Sequence, residues 1–185
     1  MHSLSTSNLF GFRILAVQKT EFFSYLDELI EKNQHCQTQL IMTPNSEQVV
    51  LARHDRAFAA NLQKADWLLP DGSGLVWAAS ILKFFGKLER RIKERIAGVE
   101  VVEYLLQKNL KTLIIGGRDY LGSYQGEFYE DQKSLKVIKP NLFWTEAYQE
   151  KTDVLPIEEA ALVKIISKLK PELVFVALGD RKSVV

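Results

Sequence analysis

"QLIMTPNSEQVVLARHD", residues 39–55, decides the fold. A short apolar run stops on Thr43-Pro44-Asn45, and a stretch with helical character begins at once. Pro44 biases Thr43 toward an extended backbone, and Asn45 or Ser46 suits the N-cap of the following helix. The layout returns in "ADWLLPDGSGLVWAAS", residues 65–80, with Pro70-Asp71-Gly72-Ser73-Gly74 at the break. A short strand, a polar turn and a helix, used twice, is the signature of βαβ units.

Outward from these two stretches the pattern continues. Short apolar runs occur at "RILAV" (13–17), "WLL" (67–69), "TLIIG" (112–116), "LKVI" (135–138) and "LVFVAL" (173–178), several rich in Val and Ile as in strands covered on both faces. Helical stripes lie between them. Phe22, Leu26 and Leu29 share one face, Leu51, Phe58 and Leu62 a second, and Leu162, Ile165, Ile166 and Leu169 a third, opened by Pro156 and stopped before Pro171. Alternating strands and helices imply right-handed crossovers and a mostly parallel sheet flanked by helices. The expected fold is a single Rossmann-like α/β domain over residues 1–179.

Bulk properties narrow the function. The 185 residues carry a formal charge of +1, which gives no electrostatic case for nucleic-acid binding. Cys36 stands alone, so neither a disulfide framework nor a cysteine metal cluster is indicated. No apolar run approaches the ~18 residues of a membrane-spanning helix, and the N-terminus lacks a signal-peptide pattern. The expected compartment is the cytoplasm.

In open α/β sheets ligands sit beyond the carboxyl ends of the strands. Four loops qualify: Thr43-Pro44-Asn45, Pro70 to Gly74, Gly116-Gly117 and Gly179-Asp180. A hydroxyl and an amide at a helix N-terminus, here Thr43 and Asn45, either simply end a strand and cap a helix or hold a sugar or phosphate. Gly72 and Gly74 allow close approach of a ligand, Ser73 opens a helix with free N–H groups, and Asp71 is either a turn cap or a carboxylate able to take a proton from a hydroxyl. The run "KFFGKLERRIKERIAG" (83–98) reads as a solvated face or as a source of phosphate-binding arginine, with Arg95 the favoured member. "LIIGGRDYLGSYQGEF" (113–128) does not match G-x-G-x-x-G. That departure weighs against a nicotinamide-dependent oxidoreductase, and Gly116-Gly117 is either a backbone nest for a nucleotide or a glycine-rich strand exit. His2, His35 and His54 show no ligand spacing, and no Asp-x-Asp is present to hold a metal.

Taken in order, "MTPNSEQVVLARHD", "ADWLLPDGSGLVWA", "RIAGVEVVEYLL", "LIIGG" and "PELVFVALG" resemble the WecG/TagA/CpsF glycosyltransferases over about Phe10 to Gly179. The resemblance implies an inverting, metal-independent enzyme with no cofactor. It would move N-acetylmannosamine or a related sugar from a UDP donor to a polyprenyl-diphosphate-linked N-acetylglucosamine, for bacterial cell-wall or surface polysaccharide. It further implies that Asp71 is the catalytic base, with Thr43 beside it. Asn45, Gly72, Ser73, Gly74, Arg95, Gly116, Gly117 and Gly179 would bind substrate. The full-length parent would touch the inner face of the cytoplasmic membrane peripherally.

Three departures stand out. Gly98-Val99-Glu100 replaces the family's Gly-x-Asp, and Gln125 occupies a stretch where His-Gly-Tyr-Phe is common. The end, "DRKSVV" (180–185), replaces a Pro-Lys-Gln-Glu-like motif and matches the translation of a sequencing adapter, so these residues are expected to be a non-native tail. A non-catalytic nucleotide-sugar-binding fragment of the same fold is the alternative.

Overall fold

The computed structural model describes residues 4–32, 38–116, 127–129, 132–145 and 156–177. The chain forms two compact units, Met1–Tyr104 and Leu105–Val185.

The first unit is built on a four-stranded sheet in the order β1-β2-β4-β3. β1 (Thr6–Leu9) and β2 (Phe12–Leu15) form an antiparallel hairpin, with Leu9 opposite Phe12. β4 (Trp67–Leu68) lies parallel to both β2 and β3 (Ile41–Met42). Helix α1 (Lys19–Glu31) leads from β2 to β3, and α2 (Ser46–His54) with α3 (Arg56–Leu62) leads from β3 to β4. α4 (Ser73–Phe84) follows β4, and α5 (Gly98–Leu106) runs to the end of the unit and into the next.

Apolar spacing explains which faces are covered. On α1 the buried residues are Phe22, Tyr25 and Leu26, and Phe23 stacks on Tyr104 of α5 at 4.1 Å between ring centres. On the other side of the sheet Val49, Ala52, Leu62, Leu75, Ala79, Leu88 and Ile92 close over Leu9, Phe12, Ile14 and Leu68. The stripe Leu51, Phe58, Leu62 does not form. Asp55 has an extended backbone, and its side chain accepts from the Phe58 N–H, so it ends α2 and caps α3. The break turns Leu51 out to solvent and puts Val49 and Ala52 into the core instead.

The second unit holds a five-stranded sheet in the order β6-β7-β8-β5-β9. β5 (Thr112–Gly116) is flanked by β8 (Leu142–Thr145) and β9 (Leu173–Ala177), both parallel to it. β6 (Glu127–Tyr129) and β7 (Gln132–Lys139) add antiparallel strands. Pro140-Asn141 joins β7 to β8, with Asn141 at φ 66°, where a turn demands a positive angle. α6 (Pro156–Leu169) packs Ile165 and Leu169 onto Leu113, Ile115 and Phe143. β9 is covered on one face only: Val174 and Val176 are exposed while Leu173, Phe175 and Ala177 are half-buried. Both sheets are therefore mixed, each with three parallel strands, in a Rossmann-like α/β arrangement.

Candidate functional site

β3 and β4 are neighbours and parallel, so their exits open side by side. The two loops are stitched together, the Leu69 N–H donating to the Met42 carbonyl at 2.8 Å and the Asp71 N–H to the Pro44 carbonyl at 3.2 Å. Pro44 and Pro70 are buried, which anchors both turns. A third loop joins them where the Ile96 N–H donates to the Pro70 carbonyl at 3.0 Å. Thr43, Asn45, Asp71, Gly72, Ser73, Gly74 and Arg95 thus come together in the first unit, around the N-termini of α2, α4 and α5.

Asp71 stands at the centre. Its Oδ2 accepts from the Gly98 N–H at 3.2 Å, at the first turn of α5. Its Oδ1 accepts from Arg95 Nε at 3.3 Å. The side chains of Arg95 and Asp71 are 54% and 28% exposed. A pair so open to water contributes about 1 kcal/mol at most, so an incoming anion can draw the guanidinium away at small cost.

Close packing shapes the rim. A Cβ at Gly98 would lie 3.0 Å from Thr43 Oγ1 and 3.2 Å from Thr43 Cγ2, so the missing side chain is what lets Thr43 sit against α5. Gly74 faces Ser46 equally tightly, with 2.9 Å from its would-be Cβ to Ser46 Oγ. Gly72, at φ 133° and ψ 138°, is the N-cap of α4, in a region that residues with a Cβ rarely enter. It turns the chain so that the N–H groups of Ser73 and Gly74 begin the helix beside Asp71. Asn45 forms a full capping box with Gln48: Asn45 Oδ1 accepts from the Gln48 N–H at 2.9 Å, and Gln48 Oε1 from the Asn45 N–H at 3.1 Å.

A charged clasp behind the site was not visible as a motif. Lys19 Nζ meets Glu100 Oε1 at 2.8 Å. Glu100 Oε2 also accepts from the Ala97 N–H at 3.1 Å, capping α5. Glu94 accepts from the backbone N–H of Lys19 and so closes the N-terminus of α1, whose own N-cap Gln18 makes no side-chain cap. The hydrogen bond to Glu100 holds the Lys19 ammonium above its ordinary pKa of 10.5. The same bond, reinforced by the Ala97 N–H, holds the Glu100 carboxyl below 4.5. The longer carboxylate at this position thus reaches back to its own helix and sideways to α1. Only the fold brings residue 19 to residues 94–100, so spacing along the chain carried no signal of it.

The remaining candidates belong to the second unit or fall outside the described residues. Gly116 ends β5 in the second unit at φ 80°, its carbonyl accepting from Trp144 Nε1 at 2.7 Å. Gly117, Gln125, Gly179 and the tail Asp180–Val185 fall outside the described residues.

A model of the glycosyl transferase WecG/TagA/CpsF family matches residues 7–183. The chain belongs to this family. Among its curated relatives is an N-acetylglucosaminyldiphosphoundecaprenol N-acetyl-beta-D-mannosaminyltransferase of Staphylococcus aureus strain MRSA252. It is 25% identical over 154 residues, which cover 81% of this chain and 54% of the relative. The protein of the same name from strain NCTC 8325 / PS 47 is 24% identical with the same coverage. This WecG/TagA/CpsF chain therefore spans about half the length of the curated relatives it matches. The family match covers both units. No described helix is long and apolar enough to cross a membrane.

Proposed function

We propose that the chain carries the sugar-transfer site of an inverting glycosyltransferase. It moves N-acetylmannosamine or a related sugar from UDP to a polyprenyl-diphosphate-linked N-acetylglucosamine, at the inner face of the cytoplasmic membrane. The observation that carries this reading is Asp71, held at the meeting of three loops by the Gly98 N–H of α5 and by Arg95, with Thr43 packed against the same Gly98. The names of the curated relatives support the choice of transferred sugar and acceptor.

The chemistry follows from the arrangement. Each Asp71 oxygen has a second lone pair beyond the bond it already accepts, so either can take a proton. Asp71 removes the proton of the acceptor hydroxyl as that oxygen forms its bond to the anomeric carbon. The bond from that carbon to the diphosphate breaks, and UDP leaves from the opposite face, which inverts the configuration. Negative charge grows on the leaving diphosphate. Arg95, whose bond to Asp71 uses Nε alone, offers its two terminal nitrogens, and the N–H groups opening α4 offer their positive end. No metal is required in this scheme.

The test is transfer with EDTA present, using UDP-N-acetylmannosamine and a short-chain lipid-diphosphate-N-acetylglucosamine, followed by UDP release. Release that depends on both substrates supports the reading. UDP binding without release would favour a nucleotide-sugar-binding module, and no UDP binding would end the nucleotide-sugar reading altogether.

A further inference from the structure

We propose that the exposed face of α4, with the basic turn that follows it, is a docking surface for anionic lipid. Trp77, Ile81 and Phe84 recur at helical spacing and all face solvent, Trp77 at 72% and Phe84 at 86% exposure. Phe85 extends the row past the helix end and meets Phe84 edge to face at 5.4 Å. With Val76, Ser80 and Arg91 these residues line a shallow apolar depression. The row covers about 10 Å along the helix axis. Two aromatic types and an isoleucine are left in water together, more than scattered surface apolars explain.

The surroundings choose the occupant. Residues 83–95 hold Lys83, Lys87, Arg90, Arg91, Lys93 and Arg95 against only Glu89 and Glu94. Arg90 is tied to Ser5, Lys93 to Glu21 and Arg95 to Asp71. Lys87 and Arg91 are exposed, and no ion pair engages either among the described residues. Tryptophan and phenylalanine beside unpaired cations match an interfacial surface. The rings enter the boundary between headgroups and acyl chains while the cations meet lipid phosphates. A second copy of the chain would bring the same positive charge against itself. The proposal rests on the membrane placement in the proposed function and names the surface that would make it. It concerns residues outside the Asp71 site and is tested without sugar nucleotide, so the two can fail separately.

The experiment is co-sedimentation of the chain with vesicles of phosphatidylglycerol and phosphatidylcholine in equal parts, against pure phosphatidylcholine. Binding is expected only to the anionic vesicles and is expected to weaken as salt rises. Lys87→Glu with Arg91→Glu should lower the partition by about tenfold or more. Phe84→Ser with Phe85→Ser should lower it comparably, and circular dichroism should show that both variants remain folded. Equal binding to neutral vesicles, binding indifferent to both double variants, or no binding would each overturn the proposal. So would a dimer that Phe84→Ser with Phe85→Ser dissolves without any vesicle binding, since that would assign the face to a second copy.

Discussion

At the residue scale the site rests on two glycines that no other residue replaces without cost. Gly72 holds a backbone conformation that a Cβ strains, and Gly72→Ala should lower stability by about 1–3 kcal/mol, read as a shift in the urea midpoint. Gly98 is different, since its backbone angle is ordinary and the obstacle is Thr43. The alanine methyl at Gly98→Ala must push Thr43 or α5 aside by a few tenths of an ångström. The expected outcome is a folded protein whose UDP affinity or transfer rate falls more than its melting temperature does. Unchanged binding and transfer would mean that Thr43 does not have to sit against α5.

Asn45 poses the same kind of question. Its capping box satisfies two N–H groups of α2, so Asn45→Ala should cost about 1 kcal/mol of stability. Asn45→Asp keeps a capping oxygen and should retain most of it. If Asn45→Asp nevertheless weakens UDP binding severalfold in titration calorimetry, the side chain serves the ligand as well as the helix. Equal affinity would leave it a cap alone.

At the scale of elements, the Lys19–Glu100 clasp ties α1 to α5 and fixes the turn that gives Asp71 its Gly98 N–H. The sign of its pH dependence follows from the two shifts. Glu100 is depressed in the folded state, so its contribution is present above 4.5 and is lost as pH falls through its lower folded value. Lys19 is raised, so its contribution is present below 10.5 and is lost as pH rises through its higher folded value. Stability measured for the protein and for Glu100→Gln should therefore differ by a constant amount across neutral pH. The difference should shrink only in acid below 4.5 or in base above 10.5. A difference that changes between pH 6 and 8 would contradict the clasp.

Elements were unequally legible. Val- and Ile-rich runs marked β2, β5 and β9, and Pro156 and the following stripe marked α6, because burial leaves a periodic trace in composition. β1 reads "TSNL" and shows no such trace, since it is a hairpin partner secured by its ladder with β2. β8 reads "LFWT", with neither Val nor Ile to mark it, although Phe143, Trp144 and Thr145 are buried. The break at Asp55 was legible in principle, as aspartate three residues before Phe58 is a capping signal. The apparent stripe Leu51, Phe58, Leu62 outweighed it.

At the scale of the molecule, the strand order explains why two motifs far apart in sequence form one site. Placing β4 beside β3 brings Pro70 to Gly74 against Thr43 to Ser46, and the chain returns through Arg95 to Gly98 to complete the rim. The loops that bear the chemistry were readable because turn residues and glycines are forced there by backbone geometry. The clasp was not, because an ion pair between residues 19 and 100 needs only two charges and a fold to bring them together.

The most direct test of the account is the rate of sugar transfer by Asp71→Asn, measured with the UDP dissociation constant on the same preparation. Asparagine keeps the size and can still accept from the Gly98 N–H but cannot take the proton. Transfer should fall by about 10²–10⁴ while UDP affinity changes by only a few fold. Transfer at the parent rate, with UDP bound as before, would remove Asp71 as the base and contradict the proposed mechanism.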